Sequence, residues 1–314
     1  MTVHDAISHY VQARKAGGSD FGAVERVLGT FCRTVGADAD ISTVTEAQVR
    51  AFLDGRGPIT RYWHRKHSAL NGFYRYAVGR HLVARAPLPS RTPKSPPAFT
   101  PYIFTREELR RLLAATVHGP RTWCPEPHTL RTLLLTLYGA GLRVGEALHL
   151  TLDDVDLDFA CLVVRDTKFY KTRLVPLGPD LVTVLRQQLA RRARRRPEQP
   201  DQAWFFVGRD GGPLHEATIR RAFARLRTRA GVVRTDGARY QPRLHDLRHA
   251  YAVHRVTDWY RRGADVQTLL PTRSTYLGHV TVSATQVYLT MTPDLLQQAN
   301  QRFERYAMEA VNEP

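Results

Sequence analysis

The chain has 314 residues, 43% of them apolar, a balance that suits two folded domains better than one. Lysine and arginine number 46 against 29 acids, for a formal net charge of +17; most of the excess is arginine, whose planar fork matches phosphate oxygens, so nucleic acid is the expected partner. A membrane role is excluded on three counts: no apolar run approaches the roughly 18 residues of a span, no long basic helix carries a bulky apolar face, and MTVHDAISHYVQARK lacks the layout of a signal peptide, so a cytoplasmic protein is expected.

The first elements read as short helices. Asp5–Lys15 places Ala6, Ile7, Tyr10 and Val11 at helical spacing and stops at Gly17-Gly18. Ser19 can cap a second helix with Phe21, Val24, Val27, Leu28 and Phe31 on one face. Thr45 with Gln48 forms a capping-box pattern ahead of Glu46–Leu53. Thr60–Val78 turns Trp63, Leu70, Phe73 and Tyr74 inward and Arg61, Arg65, Lys66 and Arg75 elsewhere. Four short helices with basic faces make a small DNA-binding module over residues 1–84, with those four basic residues as its candidate contacts; an ordinary helical bundle with solvated charges is the alternative. The stretch Arg85–Pro101 then holds six prolines and no periodic apolar pattern, so it reads as a semi-rigid linker.

A second domain is expected over residues 102–314. Thr105 with Glu108 is another capping box. An apolar helix over His128–Tyr138 is broken by Gly139-Ala140-Gly141, and Arg143 sits where the next helix starts. Leu157–Arg165 and Thr172–Leu177 read as a β-hairpin around Asp166–Lys171. Helices follow near Pro179–Arg195, Glu216–Ala230, His245–Arg262 and Pro293–Met308. The run RRARRR at 191–196 reads as a solvated helix end, with a phosphate contact as its alternative. The fold class is therefore mainly α with a small β-hairpin. Cys32, Cys124 and Cys161 are far apart and form no CxxC pair, so neither a zinc site nor a disulfide framework is read.

The chemistry concentrates in the second domain. His245 and Arg248 lie three apart, on one face if the segment is helical, so both can reach the same oxygen. Arg248 can donate two parallel bonds to a phosphate, and His245 can move a proton near neutral pH. Arg143, beside backbone donors at a helix start, is placed for an anion; the alternative is a structural pair with Glu146. Lys168 or Lys171, at the hairpin tip, can protonate a leaving oxygen if nearby cations depress its pKa. Gly278 allows a tight turn that aims His279, and nine residues later stands Tyr288. A phenol ionises near ~10, so it needs a cationic pocket to act as a nucleophile at neutral pH. Together these groups can cut and rejoin DNA with neither metal nor cofactor.

The segments GLRVGEALHL, DTKFYKTRLVPL, HDLRHAYAVH and YLGHVTVSATQVYL resemble, in order and spacing, the tyrosine recombinase (phage integrase) family, from about Thr105 to the C-terminus. The resemblance implies a helical core-binding (SAM-like) domain before the linker and a tyrosine-recombinase catalytic domain after it. It implies that Arg143 and Arg248 clamp the phosphate, that Lys168 is the acid for the departing 5′ oxygen, and that His245 handles the proton. His279 would bond the phosphate, and Tyr288 would be the nucleophile. The tip Thr167-Lys168-Phe169-Tyr170-Lys171 lacks the family's frequent glycines, which leaves Lys168 or Lys171 open; Lys171 and Arg173 are further candidate DNA contacts. The wording LLPTRSTYLGH is similar to recombinases of transposable elements. The implied partners are double-stranded DNA with specific recombination sites, a homo-tetramer on that DNA and accessory proteins, with the protein on the nucleoid when bound. A type IB topoisomerase-like enzyme and a non-catalytic DNA-binding regulator on the same scaffold are the alternatives. A tail with Leu295, Leu296, Ala299, Phe303 and Ala307 at near-helical spacing can dock on a neighbouring protomer or on its own domain.

Overall fold

The computed structural model describes residues 1–18, 21–96, 99–119, 124–167, 171–195, 200, 203–238, 240–266, 268–269 and 297. The chain divides into two compact units, Met1–Phe99 and Thr100–Pro314. The division falls inside the proline-rich stretch, whose early residues Ala86 and Leu88 pack on the first unit's core rather than standing apart as linker. Among the described residues no helix is long and apolar enough to cross a membrane.

The first unit is built from α1 (Val3–Ala16), α2 (Gly22–Val35), a single 3-10 turn (Ile41–Thr43), α3 (Glu46–Asp54) and α4 (Arg61–Gly79). Local chemistry sets the starts of three of these helices. The Thr2 and Thr60 hydroxyls accept from the backbone N–H of Asp5 and Tyr62, and Thr45 with Gln48 completes the expected capping box. Ser19, expected to cap α2, lies outside the described residues; the residue before α2 is Phe21, which makes no side-chain cap. The apolar stripes of α1, α2 and α4 meet in a core centred on Leu28, Phe31, Leu70, Phe73 and Tyr74, each fully buried. Burying one such leucine or phenylalanine contributes about 1.5–3 kcal/mol.

Arg61, Arg65 and Arg75 are exposed on α4, but Lys66 is not, which corrects the outward placement read from the sequence. Its ammonium donates to the Phe52 carbonyl (2.5 Å) and sits over the Phe52 and Tyr62 rings. Burial pushes its pKa down. Lys66 therefore ties α4 to α3.

The second unit contains α5 (Arg106–Val117), α6 (Pro127–Gly139), α7 (Val144–Leu148), strands β1 (Val155–Asp156), β2 (Cys161–Thr167) and β3 (Lys171–Pro176), then α8 (Pro179–Arg195), α9 (Glu216–Arg229) and α10 (Asp246–Arg261). α6 is hydrophobic nearly all round because it packs against α5, α8 and α10 together. The sheet is antiparallel in the order β1-β2-β3. The expected hairpin is present, with its first strand starting four residues late: Leu157–Ala160 forms the turn from β1 instead. Leu162 pairs with Val175 and Val164 with Arg173. Because side chains alternate along a strand, these four share one face. Leu162, Val164 and Val175 are buried on it, whereas Leu174 is exposed on the other. That register carries Arg173 inward.

The arginine run at the end of α8 is not simply solvated. Arg192 is buried and donates to the carbonyls of Trp204 and Phe205, while Arg195 pairs with Glu126 (2.5 Å). Arg191 and Arg194 remain exposed. The helix expected over Pro293–Met308, and with it the docking tail, lies outside the described residues apart from Gln297.

Candidate active site

The site forms where the end of α6, the single turn α7, strand β3 and the start of α10 meet. Gly141 sits at φ +64°, a left-handed conformation that a side chain disfavours, and it turns the chain sharply out of α6. Arg143 follows in extended conformation as the residue before α7. α7 is only five residues long, so the helix-start argument made from the sequence carries little, and the charge at this point comes from side chains.

Glu146 is the hub. Its carboxylate accepts from the Arg143 backbone N–H (2.9 Å) and from Arg143 Nη1 (2.5 Å). It also receives both arms of the Arg173 fork, at 3.1 and 2.7 Å. Arg248 Nη1 lies 3.7 Å away and donates to the Gly141 carbonyl at 2.6 Å. Three guanidiniums thus surround one carboxylate, and they are unequally accessible: 33% of the Arg143 side chain is exposed, 11% of Arg173 and 2% of Arg248. Burial alone would raise the Glu146 carboxyl; the hydrogen bonds and charge of Arg173, with Arg143, outweigh it and hold the pKa at about 2. A depressed carboxyl stabilises the fold above its ordinary value of 4.5, and that contribution is lost as pH falls toward about 2. Replacing Glu146 by Ala leaves buried guanidiniums without their counter-ion, so it is expected to cost about 3–5 kcal/mol. In thermal unfolding that is a fall of about 10 °C in Tm; a change under about 2 °C would contradict the hub.

His245 stands immediately before α10 with helical backbone angles (φ −66°, ψ −23°), and its carbonyl accepts from the Arg248 N–H (3.2 Å), so the two keep the one-turn spacing read from the sequence. The loop holding it is fixed by Asp246, fully buried, which accepts from the Arg243 backbone N–H (2.8 Å) and from Arg243 Nη2 (3.0 Å). The His249 ring meets that of His245 edge-on, with centroids 4.8 Å apart. Desolvation by its packed side, then the charge of Arg248, push the His245 pKa below its ordinary 6.5; Asp246 pulls the other way, and the smaller effects of Arg243 and Arg143 add to the lowering. The shift favours the neutral ring, which is the form able to accept a proton. If it is the base, the half-point of the acid limb of single-turnover DNA cleavage should lie below pH 6.5. A rate already halved at about pH 7 would contradict that role.

Arg143, His245 and Arg248 are thus brought together as expected from the sequence. Lys168, His279 and Tyr288 lie outside the described residues. Lys171 opens β3, opposite Thr167, with its side chain outside them too. Arg173, expected as a DNA contact, spends its fork on Glu146. Glu146 itself was read only as a structural alternative for Arg143; the signal for more was the phase of Arg173 with Val175, which puts a charge on an apolar face in need of an acid.

Three guanidiniums around one carboxylate, beside an imidazole whose pKa is pushed down, have the chemistry to grip a phosphodiester and move a proton. The chain belongs to the phage integrase family, whose sequence model matches residues 103–294. It is 34% identical to the Sinorhizobium fredii protein y4rB, provisionally named an integrase/recombinase, over 97% of this chain and 98% of that one. It is 31% identical to the tyrosine recombinase XerD of Bifidobacterium longum, over 78% and 76% of the two chains. Among solved structures, the Tn1549 transposon integrase in complex with a circular intermediate DNA matches with a TM-score of 0.70 at 16% identity, covering 97% of this chain and 99% of that one. The lambda integrase dimer bound to a COC′ core site matches at 0.62 and 18%, covering 90% and 97%. At such identities the likeness to these two is one of fold. The protein is a tyrosine-type site-specific DNA recombinase, and neither the topoisomerase-like nor the regulator alternative is favoured.

Proposed function

We propose that the protein cleaves and rejoins duplex DNA at specific recombination sites through a 3′-phosphotyrosyl intermediate. The observation that carries this reading is the convergence of Arg143, Arg173 and Arg248 on Glu146 beside His245. The Tyr288 oxygen attacks the scissile phosphorus while its proton passes to His245. The bond from phosphorus to the 5′ oxygen breaks, and Lys168 (or Lys171) supplies the proton to that oxygen. Arg143, Arg248 and His279 stabilise the charge that builds on the five-coordinate phosphate. The ester conserves the energy of the broken bond, so the 5′ hydroxyl of a partner strand reverses the step without ATP.

Four protomers on two sites would then exchange one strand pair at a time through a four-way junction, with accessory proteins where the site requires them. Arg61, Arg65 and Arg75 on α4 are the backbone contacts assigned to the first unit, and the working location is the nucleoid in the cytoplasm. The exchange serves integration, excision or transposition, and the DNA flanking the gene supplies the sites to test. The test is a nicked duplex carrying such a site, incubated in EDTA. The expected result is a protein–DNA adduct stable to denaturant; no adduct without Mg²⁺ would overturn the mechanism.

A further inference from the structure

Arg173 occupies a position that the chemistry of strand transfer leaves unexplained. It lies on the buried face of the sheet, in register with Val164 and in phase with Val175. Its fork meets Glu146 at two points, 3.1 and 2.7 Å, and both side chains are nearly enclosed, at 11% and 8% exposure. Arg143 meets the same carboxylate, but from the chain turn ahead of a one-turn helix, with a third of its side chain in solvent. Of the two guanidiniums hydrogen-bonded to Glu146, one is therefore anchored to a strand, and the other stands at the rim.

A phosphate entering this site presents a second anion to the same cations. Glu146 and the phosphate compete for Arg143 and Arg248, and like charges at close range repel. The competition is relieved only if Glu146 keeps a cation of its own when Arg143 turns outward. We propose that Arg173 is that cation: a positioning residue that retains the Glu146 carboxylate on the sheet side and so releases Arg143 and Arg248 to the scissile phosphate. Arg173 itself touches no DNA. Arginine serves here because its planar fork holds both carboxylate oxygens at once, which a lysine ammonium does not. This inference rests on the recombinase reading above and goes beyond it by assigning a role to a residue outside the clamp.

The test is single-turnover adduct formation on the same nicked duplex by wild type, Arg173→Met, Glu146→Gln and the double variant, with DNA affinity measured in parallel. Arg173→Met should slow cleavage about 30-fold, because the clamp is misplaced, while DNA affinity changes less than about 3-fold, since most of it comes from backbone contacts elsewhere. The double variant should cleave as fast as Glu146→Gln alone, since a neutral amide no longer competes with the phosphate for Arg143 and Arg248 and needs no cation to hold it back. Multiplicative losses in the double variant, or wild-type cleavage by Arg173→Met, would overturn the proposal. If Arg173→Met does not fold, Arg173→Lys serves: it should lose most of the rate, and the loss should shrink on DNA whose scissile phosphate is an uncharged methylphosphonate. An undiminished loss on that substrate would mark Arg173 as merely structural. Absence of adduct from wild type itself would instead overturn the underlying recombinase reading.

Discussion

Replacing Tyr288 by Phe should remove covalent adduct formation on nicked DNA, by at least about 10⁴-fold, because the phenol oxygen is the group proposed to form the ester that conserves the bond. The substitution deletes one oxygen and keeps the ring. DNA affinity should therefore stay within a few-fold of wild type, since it comes mainly from backbone contacts spread over a chain of net charge +17. The same contacts make binding fall steeply with salt for both proteins, so the comparison belongs at one ionic strength. Adduct formed by the Phe variant at more than about a hundredth of the wild-type rate would show that another residue attacks the phosphorus. Tyr276 is the nearest tyrosine in sequence and the first to examine in that case.

The second large effect is expected at Arg248. Its side chain is 2% exposed, and Nη1 is fixed by the Gly141 carbonyl at 2.6 Å with Glu146 at 3.7 Å. That fixation aims the rest of the fork before substrate arrives, and pre-aimed donors cost no reorganisation in the transition state. Arg248→Ala should lower the cleavage rate about 10³-fold, the upper end of what one lost charge-stabilising donor costs. Arg248→Lys should recover little of this, because a single ammonium cannot hold the Gly141 carbonyl and grip a phosphate at two points. The measurement is again single-turnover cleavage, with Tm recorded for each variant. A lysine variant within about tenfold of wild type would show that charge alone suffices at this position.

How far the sequence discloses the site depends on the reach of each interaction. The capping boxes at Thr45–Gln48 and Thr105–Glu108 span three residues, so their chemistry is visible in the string and present in the fold. The break at Gly139-Ala140-Gly141 is equally local, and it delivers Arg143 where expected. Charges whose partners are remote are harder. Arg173 meets an acid 27 residues away, and Arg192 meets carbonyls 12 and 13 residues on, so both look like solvated or DNA-facing cations until the chain is folded. Lys66 misleads for a related reason: its ammonium finds a carbonyl of the neighbouring helix, 14 residues back, and three consecutive helical positions that include tryptophan and arginine give no sign of it. His245 and Arg248 were legible as a pair, and His245 keeps helical backbone angles as the residue just ahead of the helix. The roles of Lys168, His279 and Tyr288 rest on motif order, which speaks to family and chemistry rather than to distance.

The most direct measurement of the central claim is the identity of the covalent bond. Adduct trapped on a nicked duplex is digested with nuclease and trypsin, and the peptide spanning residues 274–302, which holds both Tyr276 and Tyr288, is sequenced by fragmentation mass spectrometry. The account expects a 3′-nucleotide phosphate on the Tyr288 oxygen and a free 5′ hydroxyl on the released strand. A nucleotide on any other residue, or a linkage through a 5′ phosphate, would contradict it.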